Sequence, residues 1–344
     1  MPAPESGSPI PATLIPGDGI GPELTDAVVE ILEHLGAPFE WDTQVAGLAA
    51  IEKDGDPLPG ETLDSIKRTG LALKGPLTTP IGGGFKSVNV RLRQEFDLYA
   101  NVRPAKTLLP GGRFEGVDLV IVRENLEGLY AVEERFEARG DDPRAVAYSS
   151  GYNTRVECRR IAEFTFDYAV RHNRKRVTIV HKANILKALS GLFLEEALEV
   201  AKNYEGRVAV DDRIVDACAM QMAMTPERFD MLVTTNLFGD ILSDLAAGLT
   251  GGLGLAPGAN IGERAAIFEA VHGSAPDITG QGKANPCALL LASALMLDHV
   301  GRTDLAARLR DAIQAILVEK QTLTPDLGGS ASTRDIADAI KAKI

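Results

Sequence analysis

TLIPGDGIGPELTDAVVEILEHL, residues 13–35, reads as a strand, a glycine-rich turn and a helix in succession. Thr13, Leu14 and Ile15 form a short apolar run, the turn fills 16–23, and 24–35 carries apolar residues at helical spacing. At a glance the turn looks like a dinucleotide fingerprint, but the spacing fails. After Gly17 and Gly19, G-x-G-x-x-G needs a glycine at 22, and that residue is Pro22. Pro22 suits the first turn of a helix, where its missing amide hydrogen costs nothing. The loop alone does not establish nucleotide binding, and glycines serving a tight turn are the better reading.

Outward from this unit the same alternation continues. Strand-like runs recur at 71–73, 118–122, 177–180, 208–210 and 231–235. Helical periodicity falls at 160–171, 192–203 and 240–249, then at 289–300, 305–319 and 333–344. Alternation of this kind predicts an α/β sheet. The stretch 131–150 departs from it, being charged, weakly periodic and interrupted by Gly and Pro. Two readings stand for it, an inserted arm or a surface loop.

A chain of 344 residues has room for two domains, or one large domain with insertions. The net charge of -12 argues against sequence-independent nucleic-acid binding, which needs a basic face. Cys158, Cys218 and Cys287 are far apart and form no CxxC pair, so neither a disulfide framework nor a zinc site is expected. A reducing compartment, the cytoplasm, is the default. Residues 1–12 lack a basic and then apolar leader pattern and read as a short disordered lead. No uncharged apolar run is long enough to predict a membrane span.

Gly82-Gly83-Gly84-Phe85-Lys86-Ser87 is not a P-loop, because Phe85 stands where Gly is required. Ser87 suits the N-cap of a helix running to about Leu98. Asn89 and Arg93, four apart, share one face of it. Arg103 and Arg123 complete a set of three arginines near loop or strand ends, suited to gripping carboxylates with a planar fork. On spacing alone, solvated surface arginines are the better reading, except for Arg123, which ends an apolar strand.

Asp240 and Asp244 lie at i and i+4 of a predicted helix with Leu237, Ile241, Leu245 and Leu249 as its apolar stripe. Two carboxylates so placed can hold a hard cation or complement the positive end of the helix. Asp216 sits amid apolar neighbours, where burial requires a partner or a metal. Lys182 follows the carboxyl end of a buried strand, where α/β proteins place their sites, although an ordinary loop lysine fits as well.

Taken in order, six motifs resemble the isocitrate/3-isopropylmalate dehydrogenase family of β-decarboxylating dehydrogenases, from about Thr13 to the end of the chain. They are IPGDGIGPE (15–23), LYANVRP (98–104), RENLEGLYA (123–131), VHKAN (180–184), TTNLFGDILSDLAAGLTGGLG (234–254) and HGSAPDITGQGKANP (272–286). The resemblance implies an α/β fold that is not Rossmann-like. It implies a large discontinuous domain, 1–98 and 251–344, and a small domain, 99–250, with a dimer clasp arm at about 131–154. It also implies a homodimer with shared active sites, Lys182 and Asp216 serving the neighbouring subunit.

The roles that the resemblance implies are as follows. Ser87, Asn89, Arg93, Arg103 and Arg123 bind substrate carboxylates. Asp216, Asp240 and Asp244 surround Mg2+ or Mn2+. Tyr130 and Lys182 form the acid/base pair. His272, Gly273, Ser274, Ala275, Pro276, Asp277 and Ile278, with Asn285, form the NAD loop, and Thr78 and Asn184 lie near the nicotinamide. Isopropylmalate enzymes carry apolar residues on the helix where this chain has Ser87 and Asn89. A pocket built to pair a third carboxylate rejects an alkyl group, which favours isocitrate. Homoisocitrate is second, since enzymes for it usually carry arginine or bulkier residues there. Asp277-Ile278 replaces the Lys and Tyr of NADP-using relatives, which favours NAD. A non-catalytic regulatory subunit is the alternative from another class, disfavoured because Tyr130, Lys182, Asp216, Asp240 and Asp244 are all retained.

Overall fold

The structure, a computed structural model, describes residues 8–79 and 87–344. The glycine run 82–86, and with it the comparison to a P-loop, lies outside the described residues. So do residues 1–7 of the N-terminal lead.

Twelve strands are found among the described residues. They are β1 (Ile10–Ile15), β2 (Phe39–Thr43), β3 (Leu71–Lys74), β4 (Ala100–Lys106), β5 (Asp118–Glu124), β6 (Gly128–Arg139), β7 (Asp142–Tyr152), β8 (Arg176–His181), β9 (Ala209–Ile214), β10 (Met231–Thr234), β11 (Pro257–Ile261) and β12 (Ala266–Ala270). The helices are α1 (Gly21–Leu35), α2 (Leu48–Asp54), α3 (Gly60–Thr69), α4 (Val88–Glu95), α5 (Arg155–Arg171), α6 (Leu189–Ala201), α7 (Val215–Met224), α8 (Asn236–Thr250), α9 (Cys287–His299), α10 (Thr303–Glu319) and α11 (Thr333–Lys341).

Two compact units divide the chain. The first holds Met1–Leu98, Lys106–Gly116 and Ala247–Ile344, and the second holds Tyr99–Ala105 and Val117–Ala246. Two stretches fall differently from the sequence reading, 106–116 and 247–250, which both go with the first unit. The Lys320 ammonium donates to the Pro110 carbonyl at 2.7 Å, tying 106–116 down by a contact across the chain. The other boundary falls inside the continuous helix α8, where no sequence pattern marks it.

In the first unit the strands run β2-β1-β3-β12-β11. β1 lies parallel to β2 and β3, β3 lies parallel to β12, and β11 is antiparallel to β12. Pro11 and Ala12 pair with Glu40 and Trp41, so the end of the expected disordered lead is strand, held by backbone pairing. Ile15, Leu58, Ile66, Ala72, Val88, Leu92 and Ile267 share one core. Helix α9 is buried along nearly its whole length, as its apolar run around every face requires. Helix α11 begins with a reciprocal Ser332–Asp335 capping box.

In the second unit the order is β4-β5-β10-β8-β9, with β5, β10, β8 and β9 parallel. Its central strands are continuous apolar runs because both faces are covered. The stretch that broke the alternation is an antiparallel hairpin, β6–β7, forming a two-stranded sheet of its own. Phe136, Tyr148 and Tyr152 stand exposed on it. Among the described residues no helix is long and apolar enough to cross a membrane.

Candidate active site

In the second unit, side chains from β4, β5, β6 and α8 converge. Arg103, on β4, donates through Nη1 to Ser243 Oγ at 2.6 Å and to Asp240 Oδ1 at 3.3 Å, and lies 3.6 Å from Asp244 Oδ1. Arg123, within β5, donates to Asp240 through Nη1 and to Asn236 Oδ1 through Nε and Nη2. The Tyr130 hydroxyl on β6 donates to Asp240 Oδ2. Both arginines are buried, whereas the Asp244 side chain is 57% exposed. The two readings of the arginines are thereby resolved, since neither is a solvated surface group.

This meeting depends on small features of α8. A Cβ on Gly239 would come within 2.6 Å of Arg123 Cβ and Cγ, so only glycine lets the arginine stem lie flat across the helix. Helix α8 starts at Asn236, four residues earlier than its apolar periodicity predicts, so Asp240 and Asp244 do not stand at the helix start. Complementing the helix dipole loses force there, because that effect fades beyond the first turn. The apolar stripe also differs. Leu242, Ala246 and Ala247 are buried with Ser243, while Ile241 of the expected stripe is 57% exposed.

Burial raises the proton affinity of two of these groups. The Tyr130 hydroxyl is pushed up by burial and by its bond to Asp240, so it holds its proton firmly. The Asp244 carboxyl is raised by burial, against the pull of Arg103.

Lys182 follows β8, and its ammonium pairs with Asp216 on α7. Its backbone amide donates to Ser190 Oγ at 2.7 Å. Beside it, His181 Nδ1 accepts from the Ala183 amide and Nε2 faces Asp212 at 3.0 Å, which fixes the turn. Asn184 is exposed in that turn. Asp216 corrects a sequence expectation: its side chain is 69% exposed, not buried among its apolar neighbours. The Lys182 bond holds its carboxyl below the usual range. Among the described residues of one chain no three His, Cys, Asp or Glu side chains are arranged to hold a metal, so Asp216 does not join Asp240 and Asp244 within the chain.

In the first unit, Asn89 and Arg93 line one small cavity together with Lys74, Asn260 and Glu269. Asn89 Oδ1 is buried and has no hydrogen-bond partner. Glu269 takes Lys74 Nζ at 2.8 Å and Asn260 Nδ2 at 2.7 Å, and Arg93 Nη2 lies 3.9 Å away. Ser87 stands at the N-cap position of α4, yet its side chain makes no capping hydrogen bond, and the helix ends at Glu95 rather than near Leu98.

A second cleft in the same unit, of 440 Å³, is lined by His272, Gly273, Ala275, Ile278 and Asn285 of the expected cofactor loop. Ser274 is instead buried behind it and exchanges a hydroxyl bond of 2.7 Å with Thr78. Gly19, at φ +61°, packs so closely that a Cβ would meet the Ser274 carbonyl at 2.0 Å. The glycine turn therefore supports the cofactor loop by close approach, as a tight turn does. Pro276 and Asp277 are exposed and do not line the cleft, and the carboxylate that lines it is Asp326, which accepts from Asn285 Nδ2 at 2.9 Å. Burial lowers the His272 imidazole below its ordinary value, favouring its neutral form.

Several of these groups escaped the sequence reading. Asn236 had a usable signal, lying one helical turn before Asp240 on the same face. Glu269 had another, an acid inside an apolar strand. Ser243 and Asp326 carry none that spacing reveals.

Over residues 12–340 the chain matches the family described as isocitrate/isopropylmalate dehydrogenase. It is 45% identical over 338 residues to the mitochondrial NAD isocitrate dehydrogenase catalytic subunit 5 of Arabidopsis thaliana, covering 97% of this chain and 88% of that protein. It is 49% identical over 331 residues to the isocitrate/homoisocitrate dehydrogenase of Thermus thermophilus, covering 95% and 96%. The crystal structure of isocitrate dehydrogenase from Methylococcus capsulatus matches with a TM-score of 0.93 at 56% identity, covering 97% of this chain and 98% of the other.

Proposed function

The chain belongs to the isocitrate/isopropylmalate dehydrogenase family, and from that membership we propose that it oxidises isocitrate with NAD and Mg2+ or Mn2+, releasing CO2 to leave 2-oxoglutarate. The observation that carries this reading is the meeting of Arg103, Arg123, Tyr130, Asp240 and Asp244 within one unit. Buried cations beside a carboxylate pair suit a chelating, highly anionic hydroxy acid.

Arg103 and Arg123 grip substrate carboxylates, and the family resemblance gives Arg93, Asn89 and Ser87 the same role. The orphaned Asn89 oxygen supports a polar occupant, since an alkyl group against it leaves it unpaired. Asp240 and Asp244 offer an oxygen-only donor set on one helix face, which fits a hard divalent cation. Such a cation supplies Lewis acidity at the 2-hydroxyl and its neighbouring carboxylate. Lys182, released from Asp216 and acting as the neutral amine, accepts the hydroxyl proton as the C2 hydrogen leaves as hydride. Tyr130, which holds its proton firmly, delivers a proton to C3 after CO2 has gone.

Lys182 and Asp216 act in the site of a second copy, in a homodimer clasped by β6–β7. Supporting this, Ile185, Met220, Met224 and Ile241 are each more than half exposed, apolar surface that a second copy covers. The cofactor lies in the cleft of His272, Gly273, Ala275, Ile278 and Asn285, with Thr78 and Asn184 toward the nicotinamide. Asp326, in the lining of that cleft, disfavours a 2′-phosphate there, which supports NAD. The three buried free cysteines suit a reducing cytoplasm.

The purified chain is assayed for reduced cofactor with Mn2+, offering isocitrate, homoisocitrate or 3-isopropylmalate with NAD or NADP. Isocitrate with NAD is expected to give the highest kcat/KM. Homoisocitrate is the second reading, favoured by the likeness to the Thermus isocitrate/homoisocitrate enzyme. A higher kcat/KM for homoisocitrate transfers the assignment to it, and a preference for NADP overturns the cofactor assignment.

A further inference from the structure

The geometry points to Asn236 as the positioning residue that decides which edge of the Arg123 guanidinium meets the substrate. The inference rests on the substrate-binding role proposed above for Arg123.

Asn236 opens helix α8 and is 1% exposed. Its Oδ1 accepts from Arg123 Nε at 3.0 Å and from Nη2 at 2.7 Å. Its Nδ2 donates to the Glu127 carbonyl at 3.2 Å. The arginine nitrogens only donate and the carbonyl only accepts, so the amide has a single workable orientation.

A guanidinium can take a carboxylate on its side edge, Nε with Nη2, or on its end edge, Nη1 with Nη2. Asn236 occupies the side edge. The end edge is turned, through Nη1, toward Asp240. A substrate carboxylate therefore meets Arg123 end-on, beside the proposed cation ligand.

The orientation is locked from three directions. Gly239 lets the stem lie flat on α8. Glu127, whose carbonyl holds Asn236, is itself pinned, its carboxylate accepting from the Thr154 amide at 2.6 Å and from the Thr154 hydroxyl at 2.8 Å. The guanidinium carbon lies 4.9 Å from the centre of the Tyr130 ring, so the same lock sets Arg123 against the proposed proton donor.

The test is a double-mutant cycle on KM for isocitrate with NAD and Mn2+, with thermal melts alongside. Arg123→Met is expected to raise KM about a hundredfold and Asn236→Leu about tenfold, the double variant staying within about threefold of Arg123→Met. Asn236→Asp keeps an acceptor oxygen toward Arg123, and its KM is expected within about threefold of wild type even where its Tm falls. Effects that multiply in the double variant, or a KM that simply follows Tm across the Asn236 variants, overturn the inference. So does a substrate-bound crystal structure with a carboxylate on Nε and Asn236 displaced. A wild-type chain inert toward both isocitrate and homoisocitrate overturns the parent reading and takes this one with it. An active wild type with multiplying effects overturns this one alone.

Discussion

Glu269 on β12 and Glu124 at the end of β5 are the same side chain at nearly the same depth, 7% and 4% exposed. Their proton affinities nevertheless part in opposite directions. Burial raises both. At Glu269 the charges of Lys74 and Arg93, with hydrogen bonds from Lys74 and Asn260, outweigh burial and bring the carboxyl down to about 2. At Glu124 burial is opposed only by the backbone amides of Leu126 and Glu127, while the nearby acids Glu127 and Glu157 add to it, and the carboxyl rises to about 7. Depth sets the cost of a charge, and the neighbours decide whether the charge exists. The first unit thus keeps an ionised carboxylate beneath the Asn89–Arg93 face. The second ties the turn between Arg123 and Tyr130 with a carboxyl that titrates near neutrality.

The largest test of that contrast is Glu269→Gln, which leaves the buried Lys74 unpaired and is expected to cost about 3–5 kcal/mol at pH 7. Because the folded-state value lies below the ordinary 4.5, the wild-type advantage is present above pH 4.5 and lost as pH falls toward 2. Urea melts from pH 7 to pH 3 should show the gap narrowing, and a constant gap breaks the comparison. Next, Lys74→Met should move the Glu269 carboxyl up by about 2 units, toward the behaviour of Glu124, in a carboxyl NMR titration.

Glu124→Gln should act in the opposite sense, stabilising the chain by about 2 kcal/mol at pH 8. Here the folded-state value lies above 4.5. The wild-type penalty is absent below that pH, grows as pH rises and is complete above about 7, so the gain should vanish at pH 4. A gain of equal size at pH 4 and pH 8 assigns it to packing instead of charge. The smallest effect belongs to Glu127→Gln. Glu127 acts on Glu124 behind burial and the two backbone bonds, so the Glu124 carboxyl should fall by less than about 1 unit.

Much of this architecture was legible along the chain. The strand runs at 71–73, 118–122 and 177–180 sit inside β3, β5 and β8, because apolar runs of that length must be covered on both faces. Asn89 with Arg93, and Asp240 with Asp244, share faces as helical spacing requires, and most of the cofactor loop lines one cleft. The errors have a common source. Periodicity says which residues share a face, not which face is covered. Spacing puts Asp216 and Ile241 in apolar surroundings and they stand exposed, while it favours a surface position for Arg103, which is buried.

By itself the sequence determined the α/β alternation, the exclusion of a dinucleotide fingerprint at 17–22, and the ordered motifs that place the chain in its family. Each depends on residue type and spacing over a few turns or strands, which local stereochemistry controls. Only the tertiary structure decided that Asn236 grips Arg123 across 113 positions, that Asp326 rather than Asp277 lines the cleft, and that two similarly buried glutamates have their proton affinities shifted in opposite directions. Hydrogen bonds and Coulomb interactions act over a few ångströms of space whatever the separation in sequence, so those outcomes exist only once the strands have brought distant residues together.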